Sequence, residues 1–349
     1  MPGGLTVTRQ DQPPVHLQET SMPFSRRSFT VAAVGTALVT PTTLLRAQGA
    51  FPTRPVTIQV GYPPGGPTDI YARALGKALS DIWKQPVVIE NKAGASGSIA
   101  GMNTLKAPAD GYTLVFTNNA ANGAYELLNP KVATYNTLRD FAPVALFGIS
   151  PSLMVVRNTL GVKDAKEFVA MAKADPGKLT YASSAIGSAP HMACELFQLV
   201  TGIKLLHVPY SGAAPIIPAL LSDTVDMYVG GASTVMPQVK AGKLRAIAAV
   251  HPRRLTAAPD VPTMAEQGFK GVEYASWFGL LASVKTPVPL LDQINADCRK
   301  AMMTPELKNQ VEQWGIEYVD SDRAQFAQVL KEEIERASRV ITEAKITTG

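Results

Sequence analysis

One local unit occurs twice in this chain and limits what it can fold into: strand, Gly/Pro/Ser turn, helix, strand. In the first copy, "PVTIQV" alternates Val56, Ile58 and Val60 as a strand does. The stretch "GYPPGGPTDIYAR", Gly61 to Arg73, follows, with three prolines and three glycines in its first seven residues. It runs into a helix that carries apolar residues at Ile70, Ala74, Ala78 and Ile82, with Leu75 and Leu79 beside them. "QPVVIEN" is the next strand. The second copy begins near Leu179: "KLTYASS" is a strand, "AIGSAPH" a turn, "PHMACELFQLVTG" a helix with Pro190 in its first turn and Gly202 past its end, and "IKLLHVPY" a strand. A strand joined through a helix to the next strand pairs in parallel. Two such units predict two α/β lobes.

The remaining segments extend each lobe. "DGYTLVFTN" reads as a third strand of the first; "SGAAPIIPALLSDTVDMYVGG" and "KLRAIAAV" add turn, helix and two strands to the second. Two long apolar stretches broken by Gly or Pro, Pro143 to Val156 and Val272 to Pro287, are placed to cross between lobes. The expected division is residues 50–150 plus 276–349 for one lobe and 151–275 for the other, with two crossings forming a hinge around a cleft. The C-terminal third is helical. From Ser321 its apolar residues fall at Ala327, Leu330, Ile334, Ala337, Ile341 and Ala344, too few heptads for a coiled coil, so the helix is expected to lie on a lobe of a monomer.

Residues 1–49 read as a leader rather than fold. Arg26 and Arg27 precede a short apolar segment from Val31 to Leu45, with small residues around Ala47 to Ala50. "SRRSF" gives this segment a twin-arginine character, and a start at Met22 gives the usual short basic head. The segment is too short and too rich in threonine for a membrane anchor. The expected destination is the periplasm, with the leader removed.

Charge narrows the partners. The formal net charge is +5; without residues 1–50 it is +3, from 29 basic against 26 acidic residues. No basic block with interleaved aromatics is present, so nucleic acid is not an expected partner. The two cysteines, Cys194 and Cys298, fall on separate helices and are expected to be separate buried thiols. Gly61 to Gly66 has the glycine spacing of a phosphate-binding loop, but Pro67 occupies the place of its lysine. Only His191, His207 and His251 follow the leader, with no His-Glu-x-x-His, so neither a metal nor another cofactor is expected.

The two turns carry the chemistry. A helix N-terminus offers unpaired N–H groups and about half a positive charge. That makes an anion site without a charged side chain. Gly65, Gly66 and Thr68 head the first helix; Gly187 and Ser188 head the second. Facing across a cleft, they would suit a molecule with two separated carboxylates. Bland readings stand beside this one. Asp69 caps N–H groups and orients the turn; His191 is a packed histidine; Tyr210 is core or cleft wall; Trp277 packs at the hinge. A different class, an exported hydrolase using Ser188 and His191, rests on spacing alone. A ligand sensor for a signalling partner is a third reading.

Nearly the whole chain after the leader resembles the substrate-binding receptors of tripartite tricarboxylate transporters, the Bug family. The stretches that carry the resemblance include "YPPGGPTDIYAR", "VVIENKAGASGSIAG", "DFAPVALFGISPSLMVV", "YASSAIGSAPHMACELF", "HVPYSGAAPIIPALLSDTVDMYVGG" and "APDVPTMAEQGF", in that order. The resemblance implies a type II periplasmic-binding-protein fold, no catalysis, delivery to membrane transporter subunits, and a carboxylate held by loop backbone and water. It places first-lobe contacts on Tyr62, Pro64, Gly65, Gly66, Thr68, Asp69, Ala95 and Ser96, and second-lobe contacts on Ser184, Gly187, Ser188, His191, Tyr210, Ala232 and Ser233. Ala185 and Ser96 stand where the family pattern has glycine, so ligand identity does not carry over.

Overall fold

The structure, a computed structural model, describes residues 51–347. The leader, its arginine pair and the proposed start at Met22 lie outside them.

Two five-stranded sheets organise the chain. In the first, β1 (Val56–Val60), β2 (Val87–Asn91) and β3 (Thr113–Asn118) run parallel, joined through helices α1 (Pro67–Trp83) and α2 (Ser98–Lys106). After β3 come a π-helical turn (Ala120–Ala124) and two single-turn helices, α3 (Tyr125–Leu128) and α4 (Thr137–Asp140), then β4 (Phe141–Ser150). In the second sheet, β5 (Ser152–Arg157) leads through α5 (Ala165–Ala174) to β6 (Thr180–Ser183). Then follow α6 (Ala189–Thr201), β7 (Leu206–Pro209), α7 (Ile216–Leu221), β8 (Met227–Gly231), α8 (Ala232–Lys240) and β9 (Leu244–Val250). β10 (Ser276–Ser283) returns to the first sheet, and α9 (Val288–Met302), α10 (Pro305–Gln313) and α11 (Arg323–Glu343) close the chain.

The strand orders are β2-β1-β3-β10-β4 and β7-β6-β8-β5-β9. They are built alike. In each sheet the fourth position is an antiparallel strand, β10 or β5, that has just crossed from the other sheet. This is the two-lobed α/β architecture of type II periplasmic binding proteins. Pro151 alone separates β4 from β5, so the first crossing is a single residue between two sheets.

Packing explains the helix faces. α1 buries Tyr71, Ala72, Leu75, Leu79 and Trp83. Ile70 is 39% exposed, so the stripe lies one residue round from the spacing-of-four reading. The reason is Gly76, where a Cβ would come 3.0 Å from Ile89 Cδ1 and 3.2 Å from Val87 Cγ1: β2 presses against that side of the helix. α11 shows a similar shift. Its buried residues are Phe326, Leu330, Glu333, Ala337 and Val340. Phe326 and Leu330 join a first-lobe cluster with Trp277. Ala337 and Val340 join the second-lobe core with Phe168 and Phe197. The helix therefore packs on both lobes rather than on one. Asp322 starts it with a full capping box to Gln325. Cys194 and Cys298 are free and buried in different cores. Among the described residues no helix is long and apolar enough to cross a membrane.

Candidate ligand-binding cleft

The C-terminal ends of both parallel strand sets point into one cavity of about 260 Å³ between the sheets. In open α/β sheets that is where ligands bind. The first lobe supplies the turn Tyr62 to Thr68, Tyr71, and Asn118 to Ala120 at the end of β3. The second supplies Ser184, Ser188 to Pro190, Ser211 to Ala214, Tyr228, Gly231, Ser233 and Thr234. Ser150, Ser276 and Phe278 come from the crossing strands. Among the described residues no Asp, Glu, Lys, Arg or His lines it.

Three helices of nine residues or more begin at this cavity. α1 has Gly66 as N-cap, α6 has Ser188 and α8 has Gly231, and none of these caps with its side chain. Ser188 could cap, but its Oγ donates instead to the Ala185 carbonyl at 2.7 Å. Pro67 and Pro190 carry no N–H, and the Ala232 N–H is spent on the Pro151 carbonyl at 3.0 Å, so the first-turn N–H groups left for something in the cleft are those of Thr68 and Asp69 in α1, Ala189 and His191 in α6, and Ser233 and Thr234 in α8. The positive ends of three helix dipoles converge where no cationic side chain stands.

The first-lobe turn is held from behind. Asp69, 2% exposed, is the third residue of α1. Its Oδ2 accepts the Gly65 N–H and the Arg73 Nε–H, both at 2.9 Å, and its Oδ1 accepts Asn91 Nδ2 at 2.8 Å. Burial alone would raise the carboxyl's pKa, but the bonds from Arg73, Gly65 and Asn91 bring it below the ordinary value. Asp69 therefore fixes the turn and does not line the cavity. The Tyr62 hydroxyl lies 2.9 Å from the Ser96 carbonyl and 3.0 Å from Asn118 Oδ1, its one proton shared between them, and burial pushes its phenol up to about 12. Asn118 Nδ2 reaches Thr68 Oγ1 at 3.3 Å.

The second-lobe turn has a matching prop. Gly187 donates its N–H to His191 Nδ1 at 3.0 Å. The His191 ring stacks on His207 with centroids 4.2 Å apart, and His207 stacks on Tyr181 at 4.7 Å. Burial, and then the neighbouring His207, hold His191 down to about 3. It offers the cleft no positive charge. Ser188 and His191 have no bond to one another, each being engaged elsewhere, so a Ser/His nucleophile pair does not assemble.

Of the residues singled out from sequence, Tyr62, Pro64, Gly65, Gly66, Thr68, Ser184, Ser188 and Ser233 line the cavity. Asp69, Ala95, Ser96, Gly187, His191, Tyr210 and Ala232 stand outside the lining. Tyr210 packs against the core cluster of β5 and β8, its N–H bonded to the Ser183 carbonyl at 2.8 Å. Lining residues not anticipated include Tyr71, Asn118, Tyr228, Phe278 and the segment Ser211 to Ala214. The rule that strand C-termini face the crevice could have found Asn118; nothing local marks Phe278.

Fold and cleft together define a solute-binding receptor. The tripartite tricarboxylate transporter family receptor model matches residues 71–346, and the chain belongs to that family. Protein BugT of Bordetella pertussis is 34% identical over 84% of this chain and 90% of its own length. A solved R. palustris protein with adipate is 31% identical, with a TM-score of 0.79 over 85% of this chain and 99% of its own. MatC from Rhodopseudomonas palustris with bound malate is 31% identical, with a TM-score of 0.76 over 83% of this chain and all (100%) of its own. Family membership makes the chain a receptor and not an enzyme.

Proposed function

We propose that the protein is an extracytoplasmic receptor that takes up a small carboxylate and hands it to the membrane subunits of a tripartite transporter. The observation that carries this is the convergence of three uncapped helix N-termini on a cavity without charged side chains. Such a site prefers an anion, yet holds it by dipoles and N–H groups that a modest domain motion can withdraw. One N-terminus stands on the first lobe and two on the second, which favours a ligand with separated carboxylates touching both. Closure then follows because the ligand binds the closed state better than the open one. The adipate and malate carried by the two solved relatives are ligands of this kind. Export to the periplasm rests on the leader read from sequence, and the monomeric state on the C-terminal helix, whose apolar face packs on this chain's own lobes.

The test is a thermal-shift and calorimetry series with malate, adipate and citrate against the matching amides. A ligand at a hundred times its dissociation constant adds about 2.7 kcal/mol to stability. A carboxylate should raise the melting temperature while its amide does not. Stabilisation by amides alone would overturn the anion reading.

A further inference from the structure

We infer that Ser96 is a latch between the lobes: its hydroxyl holds the cleft closed and so sets how long a ligand stays, without touching the ligand. Ser96 Oγ donates to the Ile186 carbonyl at 3.3 Å. Ser96 belongs to the loop between β2 and α2, and Ile186 to the turn between β6 and α6. The bond therefore joins the first lobe to the very turn whose Ser184 and Ser188 line the cavity. Opening the cleft must break it.

The loop is built to present this hydroxyl. Gly94, Ala95, Ser96 and Gly97 all have positive φ, with Ser96 at +53°. A side chain in that region is strained, and glycine would adopt it freely. The strain is held in place because Tyr62 donates to the Ser96 carbonyl, and because Gly97 lies so close to the Tyr62 ring that a Cβ there would come within 2.8 Å of it. From its other flank, the Ile186 turn is gripped at Gly187, where a Cβ would meet Ala124 Cβ at 2.8 Å and Leu128 Cδ1 at 2.9 Å. The turn is thus clasped on two sides, and Ser96 supplies the polar side. A bond made only in the closed form shifts the equilibrium toward closure, and slows release by the same factor.

This does not depend on which ligand the cleft takes. The test measures the radius of gyration of the ligand-free chain by small-angle X-ray scattering, for wild type, Ser96→Ala and Ser96→Gly. Both variants should be more expanded than wild type. The melting temperature of Ser96→Gly should not fall, since glycine is at ease at that φ. With malate as probe, the dissociation rate should rise about 2- to 10-fold in both, the range for one net hydrogen bond. Unchanged scattering in Ser96→Ala would overturn the latch, as would expansion in Ser96→Gly alone, which would assign the effect to the backbone. A fall in melting temperature matching the expansion would make the hydroxyl part of the loop's own fold, and would also overturn it. If malate does not bind wild type, the release measurement uses adipate or citrate, and if none of the three binds, the scattering alone decides the latch.

Discussion

The N–H of Gly187 and Nδ1 of His191 are joined at 3.0 Å, which makes Nδ1 an acceptor and leaves the imidazole neutral with its proton on Nε2. A turn that faces an anion is thus propped by a histidine that cannot compete for the anion's charge.

That prop predicts acid sensitivity. The folded pKa of His191 is lowered to about 3, by burial and then by His207, and that of His207 to about 4 by burial. Both are depressed below the unfolded value, so the unfolded chain binds more protons as pH falls below about 6.5. The stability they contribute is present above that pH and is lost as pH falls toward 4. Denaturation midpoints at pH 7.5 and 4.5 should separate strongly in wild type and less in His191→Gln. Equal separation in the two proteins would show that His191 is not the source.

Asp69 predicts a stability cost that carries over to binding. Asp69→Ala removes a buried carboxylate that accepts from the exposed Gly65 N–H and from half-buried Asn91. Arg73 is half exposed and is re-solvated on truncation, so the pair itself weighs little. A loss of about 2 kcal/mol is expected from the two lost hydrogen bonds to the carboxylate. Ligand affinity should drop with it, because the Gly65–Gly66 turn loses its anchor. Urea denaturation and calorimetry on the same sample check both. Unaltered stability would mean that the turn holds itself.

The two lobes and the first turn were legible because they rest on local signals: alternation, Gly and Pro punctuation, helix starts. What was not legible depends on partners far along the chain. Spacing along α1 admits two neighbouring stripes, and only Val87 and Ile89, pressing on Gly76, choose between them. α11 carries Glu333 in the middle of its buried stripe, where a sequence reading expects an apolar residue; Tyr274, 59 positions away, satisfies it. Phe278 reaches the cleft because β10 inserts between β3 and β4, a pairing that no local pattern announces. Asp69, Gly187 and His191 were found through their motifs, but a motif places a residue near a site without saying whether it touches ligand or props the backbone that does.

Gly66 offers the sharpest test of the helix-head argument. It is the N-cap of α1, and the nearest atom to a Cβ built there is the Pro63 carbonyl oxygen at 3.9 Å, so a side chain fits. Asp is a favourable N-cap residue, and Gly66→Asp should fold with unchanged or higher melting temperature. Its carboxylate would occupy the N–H groups meant for the ligand and repel a second anion. Affinity for a bound carboxylate should fall by at least about 100-fold, a few kcal/mol of like-charge contact. Gly66→Ala, with no charge, should stay near wild type. Retained carboxylate affinity in Gly66→Asp would remove the α1 N-terminus from the site.

Glu333 predicts the opposite pH trend at the hinge. It is 5% exposed, and its Oε1 accepts the Tyr274 hydroxyl at 2.5 Å beside the second crossing. Burial raises its pKa, and bonds from Tyr274 and Asn119 offset only part of that. A carboxyl whose folded pKa is raised loses stability as pH rises from its unfolded value through its folded one. Glu333→Gln keeps an acceptor for Tyr274 and removes the buried charge. The variant should match wild type near pH 4 and exceed it by about 1 kcal/mol at pH 8, since replacing a buried charge with a neutral isostere is often stabilising. Guanidinium denaturation at the two pH values reads this directly. A variant less stable than wild type at pH 8 would mean that the ionised carboxylate is the form the hinge requires.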